Sequence, residues 1–405
     1  MTASCFDNFA SLALLPNDEA PAMRDLLNAS FQLALEAGGL GRSLNAPVRR
    51  AVGDLVRSMN CYYSNLIEGH DTLPHDIERA MRNDYSAEAT KRNLQLEARA
   101  HIEVQAMIDH GELDYLGFGQ EFVRALHREF CVRLPDELLW VTDQNTGMKY
   151  RINPGEWRER GVIVGDHVAI NADLVPGFMA HFEWGYSPRR VGQAYAAIAA
   201  AAAHHRLLWI HPFLDGNGRV ARLYSHAYLR QGGVGSDLWS VSRGLARTVG
   251  RYKEALARAD APPQSMTDGR GTLSDGRLCD FITLFIETCR DQVNFMGHLL
   301  EPGGFLDRLD TFVSAEAART TLDRRVLPLL ERAFMTGEVQ KNEVADLLGV
   351  TDRHARRLIE PLIKRGLLVT ENKLAPYRLA FPLTESDLLF PRLFAPPEAA
   401  RPMHG

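Results

Sequence analysis

Twelve consecutive residues, His211-Pro212-Phe213-Leu214-Asp215-Gly216-Asn217-Gly218-Arg219-Val220-Ala221-Arg222, bring together an imidazole, a carboxylate, two glycines, an amide and two guanidinium groups. Glycines at 216 and 218 let backbone N–H groups come close to an anion, and a helix starting near Gly218 would aim its unpaired N–H groups at the same point. Arg219 and Arg222, three apart on that helix, share a face and can fork onto successive phosphates. Asp215 would repel phosphate without a hard cation between them, which argues for a bridging Mg²⁺. An imidazole ordinarily titrates near neutral pH, which suits His211 to take a proton from an attacking group. Gly-Asn-Gly alone is an ordinary turn and His-Pro an ordinary helix end. In combination they describe a site for a nucleotide polyphosphate with a base beside it.

The same segment resembles, without gaps, the Fic family pattern His-Pro-Phe-x-Asp-Gly-Asn-Gly-Arg-x-x-Arg. The resemblance implies an enzyme that transfers AMP from ATP to a Ser, Thr or Tyr hydroxyl of a target protein while pyrophosphate leaves. It makes His211 the catalytic base and Asp215 the Mg²⁺ ligand. Gly216, Asn217 and Gly218 would line an anion hole for the α- and β-phosphates, Arg219 would bind further along the chain, and Arg222 would take the γ-phosphate. Phe213 packs inward. Members resembling the Doc toxin carry Lys where this chain has Gly218 and phosphorylate their targets, so glycine here favours adenylylation.

Upstream lies Ser64-Asn65-Leu66-Ile67-Glu68-Gly69. The spacing of Val48, Val52, Leu55, Val56 and Met59 predicts a helix from Val48 to Ile67, with Pro47 suited to its first turn and Gly69 to its C′ position. Glu68 then opposes the helix macrodipole by roughly 0.3–1 kcal/mol and needs a compensating partner. Ser-x-x-x-Glu-Gly is similar to the inhibitory helix of Fic proteins. That likeness assigns Ser64 and Glu68 an inhibitory role, with Glu68 paired to Arg222 and the γ-phosphate excluded.

Between the two motifs, β-branched runs from Tyr150 to Ile170 predict a hairpin in a helical chain. It resembles the flap of Fic proteins, which would place Gly161, Val162 and Ile163 where a target's backbone adds as a strand. His127 reads as a structural histidine. Arg251-Tyr252-Lys253 resembles the segment in which an aromatic borders the adenine, leaving Tyr252 either stacked on the base or packed.

These residues sit in a chain of 405 with a net charge of −5, 45% hydrophobic and 24% charged. Length and balance describe a globular protein of two or three domains and give no global reason to expect nucleic acid or anionic membrane as a partner. Cysteines at 5, 61, 131, 279 and 289 form no C-x-x-C pair, so neither a zinc cage nor a disulfide framework follows. The N-terminus lacks a signal-peptide pattern, and the alanine-rich run from 194 ends at His204-His205, short of the ~20 apolar residues a membrane span needs. A cytoplasmic protein is expected.

The expected fold is mainly α: a Fic-type helical core with a β-hairpin flap, followed by a C-terminal winged helix-turn-helix domain. The divisions expected are 1–120 for an N-terminal helical region carrying the inhibitory helix, 121–300 for the catalytic core, 301–320 for a linker, 321–381 for the winged helix and 382–405 for an extended Pro-rich tail. The third helix of that module, 352–364, offers Arg353, Arg356, Arg357, Lys364 and Arg365 against Asp352 and Glu360. Such a face can meet DNA phosphates or a protein, or simply be solvated. Two other functions stay open: a DNA-binding regulator whose Fic fold senses nucleotide, and removal of AMP with Glu68 orienting a water. The complete set at 211–222 favours AMP transfer, because a sensor would not need His211. A homodimer is also left open.

Overall fold

The computed structural model describes residues 8–143, 146–269 and 271–395. From the N-terminus the chain lays down α1 (Met23–Gly39), α2 (Ala46–Ile67), α3 (Pro74–Met81), α4 (Ala89–Asp109) and α5 (Gln120–Cys131). Two antiparallel hairpins follow where one was expected: β1 (Trp140–Thr142) with β2 (Lys149–Arg151), then β3 (Ile163–Val164) with β4 (His167–Val168). Next come α6 (Val175–Tyr186), α7 (Ala196–Ile210), α8 (Asn217–Gln231), α9 (Val241–Arg247), α10 (Val249–Ala259) and α11 (Asp275–Leu300).

α7 is the axis of the fold. Every residue from Ala196 to Leu207 is buried, and the alanines at 199–203 present so little side chain that α8, α11 and α6 pack closely around them. The loop between α7 and α8 is therefore held by two helices that cannot easily move apart.

α2 is capped at both ends by its own sequence. Asn45 accepts from the N–H of Val48 at 3.0 Å. At the other end Gly69 takes φ of 84°, its N–H bonds Leu66 O, and the N–H of His70 bonds Asn65 O. This Schellman arrangement places Glu68 and His70 on either side of one left-handed residue.

The C-terminal third differs from expectation in three places. Residues expected as a linker form a helix, α12 (Pro302–Arg319), capped by Glu301 through the N–H groups of Gly303 and Gly304. The caps and the burial of Phe305, Leu309, Phe312 and Val313 explain why Pro-Gly-Gly starts a helix here instead of breaking one. Then come α13 (Leu327–Thr336), α14 (Val344–Leu348), α15 (Asp352–Lys364) and a hairpin of β5 (Leu368–Val369) with β6 (Arg378–Leu379), in the expected order. Arg365, expected on an outward basic face, turns inward between Glu316 and Glu385, leaving Arg353, Arg356 and Arg357 exposed. Of the expected extended tail, residues 383–393 fold back as a 3-10 turn and α16 (Ser386–Leu389), with Leu389, Phe390 and Leu393 buried. The apolar side chains override the prolines; 396–405 lie outside the described residues, as does Cys5.

This C-terminal module is joined to the rest through shared core. The Phe305 ring stacks on Phe334 at 4.2 Å and meets Phe381 and Phe390. Asn45, while capping α2, donates its Nδ2 to Phe334 O at 2.7 Å. Among the described residues no helix is long and apolar enough to cross a membrane.

Candidate functional site

α7 ends in a turn that strains its last residue. His211 is the C-cap with φ 52° and ψ 60°, a left-handed conformation that costs a β-carbon residue free energy and is concentrated at functional sites. Pro212 then forbids helix, and the loop returns to α8 through Gly216, also left-handed at φ 81°. No side chain caps α8 at that end, so its first N–H groups are open to an anion.

The loop is held shut by its own amide. Asn217 Oδ1 accepts from the N–H of Phe213 at 2.9 Å, and its Nδ2 donates to Phe213 O at 2.9 Å. Both ends of the Asn217 side chain thus serve the loop, a correction to the expectation that the amide lines an anion hole. Phe213 is fully buried, as expected, and stacks on the His127 ring at 3.9 Å and 5°. His127 Nδ1 accepts from the N–H of Gly155 at 2.9 Å, and burial pushes its pKa down to about 4. It is a neutral, structural histidine joining the loop to the chain before the flap.

Arg158 supplies a second joint that sequence reading passed over. It is 4% exposed and donates to His211 O at 2.7 Å, Arg160 O at 2.7 Å and Ile170 O at 2.5 Å, while its own N–H bonds Pro212 O at 2.9 Å. Only position within a flap-like stretch hinted at it. Its positive charge adds to burial in holding His211 down, to about 4. His211 is therefore neutral near pH 7, with a lone pair to accept a proton.

The residues expected to form a flap lie beside this point. The N–H of Ala169 bonds Val162 O, Ile163 pairs with Val168 in the hairpin, and Gly161, Ile163 and Val168 face solvent. His167 anchors the hairpin, with Nε2 donating to Trp209 O at 2.9 Å and Nδ1 lying 3.1 Å from Asp260.

The two arginines both lie beneath the loop and both meet carboxylates. Arg222, 2% exposed, donates from Nε to the Ser64 hydroxyl at 2.8 Å and from Nη2 to Glu68 Oε1 at 2.5 Å. Burial alone would raise the Glu68 carboxyl, but Arg222, with Arg219 and His70 behind it, holds it below its ordinary value. Gly218 makes this approach feasible, since a Cβ there would lie 2.2 Å from Glu68 Oε1. Arg219 instead pairs with Glu97 on α4 at 2.9 Å, over the ring of Phe130. No feature of the sequence distinguishes Glu97 from other charged residues of an amphipathic helix.

Asp215 is exposed at the lip of the loop. No group of three or more His, Cys, Asp or Glu side chains could hold a metal among the described residues. A single hard carboxylate fits Mg²⁺, which usually takes one or two protein oxygens and completes its shell with water and substrate phosphates.

Tyr252 does not border an open base site. It is 2% exposed, its hydroxyl donates to His204 Nε2 at 2.7 Å, and His204 Nδ1 lies 2.8 Å from the Ser225 hydroxyl, which donates to Ala221 O. Burial raises Tyr252 and lowers His204 to about 3, so a neutral relay ties α10 through α7 to α8. Of the two readings, stacked or packed, the structure favours packing: the Tyr252 ring meets the His204 ring edge-on, with centroids 5.8 Å apart.

Residues 118–229 match the model of the Fic/DOC family. A protein adenylyltransferase Fic from Nematostella vectensis is 26% identical over 190 residues, 46% of this chain and 40% of that protein. One from Aedes aegypti is 30% identical over 140 residues, 34% of this chain and 28% of that protein. The chain therefore spans less than half the length of these curated relatives. A crystal structure of a Fic family protein from Desulfovibrio desulfuricans covers 90% of this chain and 98% of its own at a TM-score of 0.51 and 18% identity. A Fic domain containing signaling protein from Bacteroides thetaiotaomicron covers 67% and 96%, with a TM-score of 0.50 and 22% identity. At these identities the likeness is one of fold.

Proposed function

We propose, from the match of residues 118–229 to the Fic/DOC family model, that this chain transfers AMP from ATP to a hydroxyl of a target protein and is restrained by Glu68. The observation that carries the reading is the juxtaposition of a neutral His211 with an uncapped helix N-terminus and an arginine already occupied by a carboxylate. His211 takes the proton as the target hydroxyl oxygen attacks the α-phosphorus. A bond forms from that oxygen to phosphorus, the bond from phosphorus to the β-bridging oxygen breaks, and pyrophosphate leaves. Open N–H groups of α8 meet the negative charge, where preorganised donors matter most. Asp215 would hold Mg²⁺, which supplies charge neutralisation of the phosphates. The flap edge offers the target backbone an added strand. With Glu68 on Arg222, the γ-phosphate loses its cation and ATP sits out of line, where ~1 Å of misplacement already costs about 10²-fold.

The test is incubation with α-labelled ATP and Mg²⁺, reading self-labelling and labelling of lysate proteins. Glu68→Gly should label faster than wild type, and His211→Ala in that background should lose about 10²–10⁴-fold while still binding ATP. Undiminished labelling without His211 overturns the assignment. The ionised Glu68 also suits AMP removal by orienting a water; loss of label from a modified target, dependent on Glu68, would favour that direction.

A further inference from the structure

Arg219 and Arg222 are expected from the sequence to serve one nucleotide as two cations, yet here each is already met by its own acid. Arg219 Nη2 donates to Glu97 Oε2 at 2.9 Å, and His70 Nδ1 reaches the same oxygen at 2.9 Å. The Glu97 side chain is 12% exposed and that of Arg219 10%. Burial would raise Glu97, but the bond from His70 and the charge of Arg219 hold it below its ordinary value. This carboxylate does not saturate its partner, because Arg219 Nε is buried with no acceptor. A group with three oxygens could satisfy both N–H directions where Glu97 satisfies one.

His70 links this pair to the other. Glu68 is the C-cap of α2, and His70 is two residues on, fixed by its N–H bond to Asn65 O. Motion of the last turn of α2 must therefore disturb both carboxylate contacts together. Resting on the transfer reading above, we propose that Glu97, steadied by His70, is a second restraint on the nucleotide site. It occupies Arg219 as Glu68 occupies Arg222, and a nucleotide polyphosphate gains its full set of cationic contacts only when both carboxylates give way.

The experiment compares wild type, Glu68→Gly, Glu97→Gln and the double variant, with ATP binding by calorimetry and self-labelling at varied ATP. Relative to Glu68→Gly, the double variant should bind ATP on the order of tenfold more tightly. Its KM for ATP should fall to match, with kcat no lower. A KM unchanged with kcat reduced would overturn the proposal, because Glu97 would then hold Arg219 in its working position. Melting temperatures are measured first. If Glu97→Gln does not fold, His70→Gln, at a side chain 35% exposed, carries the same expectation at smaller size, and an unchanged KM there overturns it equally. If Glu68→Gly binds ATP but never labels, the transfer reading fails and the second restraint falls with it. If Glu68→Gly labels and removal of Glu97 changes nothing, the restraint alone is overturned.

Discussion

A Cβ added at Gly218 would lie 2.2 Å from Oε1 of Glu68 and 3.1 Å from Nη1 of Arg222, so Gly218→Ala must push the carboxylate off the guanidinium. On the proposed reading, this variant should bind ATP more tightly than wild type, and Gly218→Ala combined with Glu68→Gly should gain nothing over Glu68→Gly alone. Calorimetry on the four proteins decides it, since additive gains would mean the two positions act separately. Tyr252 provides a contrasting case. Tyr252→Phe leaves His204 Nε2 buried without a donor, at a cost of about 1–3 kcal/mol of stability. ATP affinity should stay at the wild-type value; a specific loss of affinity in a protein that still folds would show that the Tyr252 hydroxyl serves the nucleotide site.

α2 is gripped by the C-terminal module at both ends. Asn45 bonds Phe334 O at its N-terminus; near its C-terminus, the Tyr63 hydroxyl meets Leu393 O at 3.0 Å and Ala395 O at 2.8 Å, and the Tyr62 ring packs on Phe394. Ser64 is the next residue along. Tyr63→Phe removes a net hydrogen-bond contribution of about 0.5–1.5 kcal/mol and should raise self-labelling by roughly twofold to tenfold; no change would separate the module from the restraint. The flap hairpin answers to pH. His167 is raised above its ordinary value because Asp260 outweighs its burial, with Trp209 O adding and Arg158 opposing. Asp260, shared with His205, is held at about 2. A histidine with a raised folded pKa contributes fully below its unfolded value of about 6.5 and loses that contribution as pH climbs through the raised one. Asp260 contributes above 3.8 and loses that only towards pH 2. The flap should therefore be held best between about pH 4 and 6.5, and its amides should exchange with solvent faster at pH 8.5 than at pH 6 after correction for intrinsic rates. Equal protection at both would deny the anchor.

The buried apolar residues from Leu12 to Leu393 form one contiguous cluster. This argues against a C-terminal region, from about Thr321, that folds on its own. Phe305, on the helix expected as a linker, contacts rings at 334, 381 and 390. Phe305→Ala should cost about 3–5 kcal/mol and lower a single melting transition. Two separate transitions, with only the later one shifted, would show an autonomous module after all.

Much of this was legible locally. The loop 211–222 could be proposed as a phosphate site because such sites need fixed residue types at fixed spacing, and Asn45, Pro47 and Gly69 announced the ends of α2 because caps are local devices. The helix order from 327 to 364 was legible for the same reason, while the inward Phe213 followed from the family resemblance. Contacts between residues far apart in sequence were not. Glu97 and Arg158 look like ordinary surface charges until α4 and the flap bring them under the loop. Tyr252 looks like a stacking aromatic until α7 supplies His204, and the C-terminal prolines look extended until Leu389, Phe390 and Leu393 find a core. Hydrogen-bonding capacity is written into each residue type, but which partner satisfies it depends on what the fold buries beside it, and that was decided only in three dimensions.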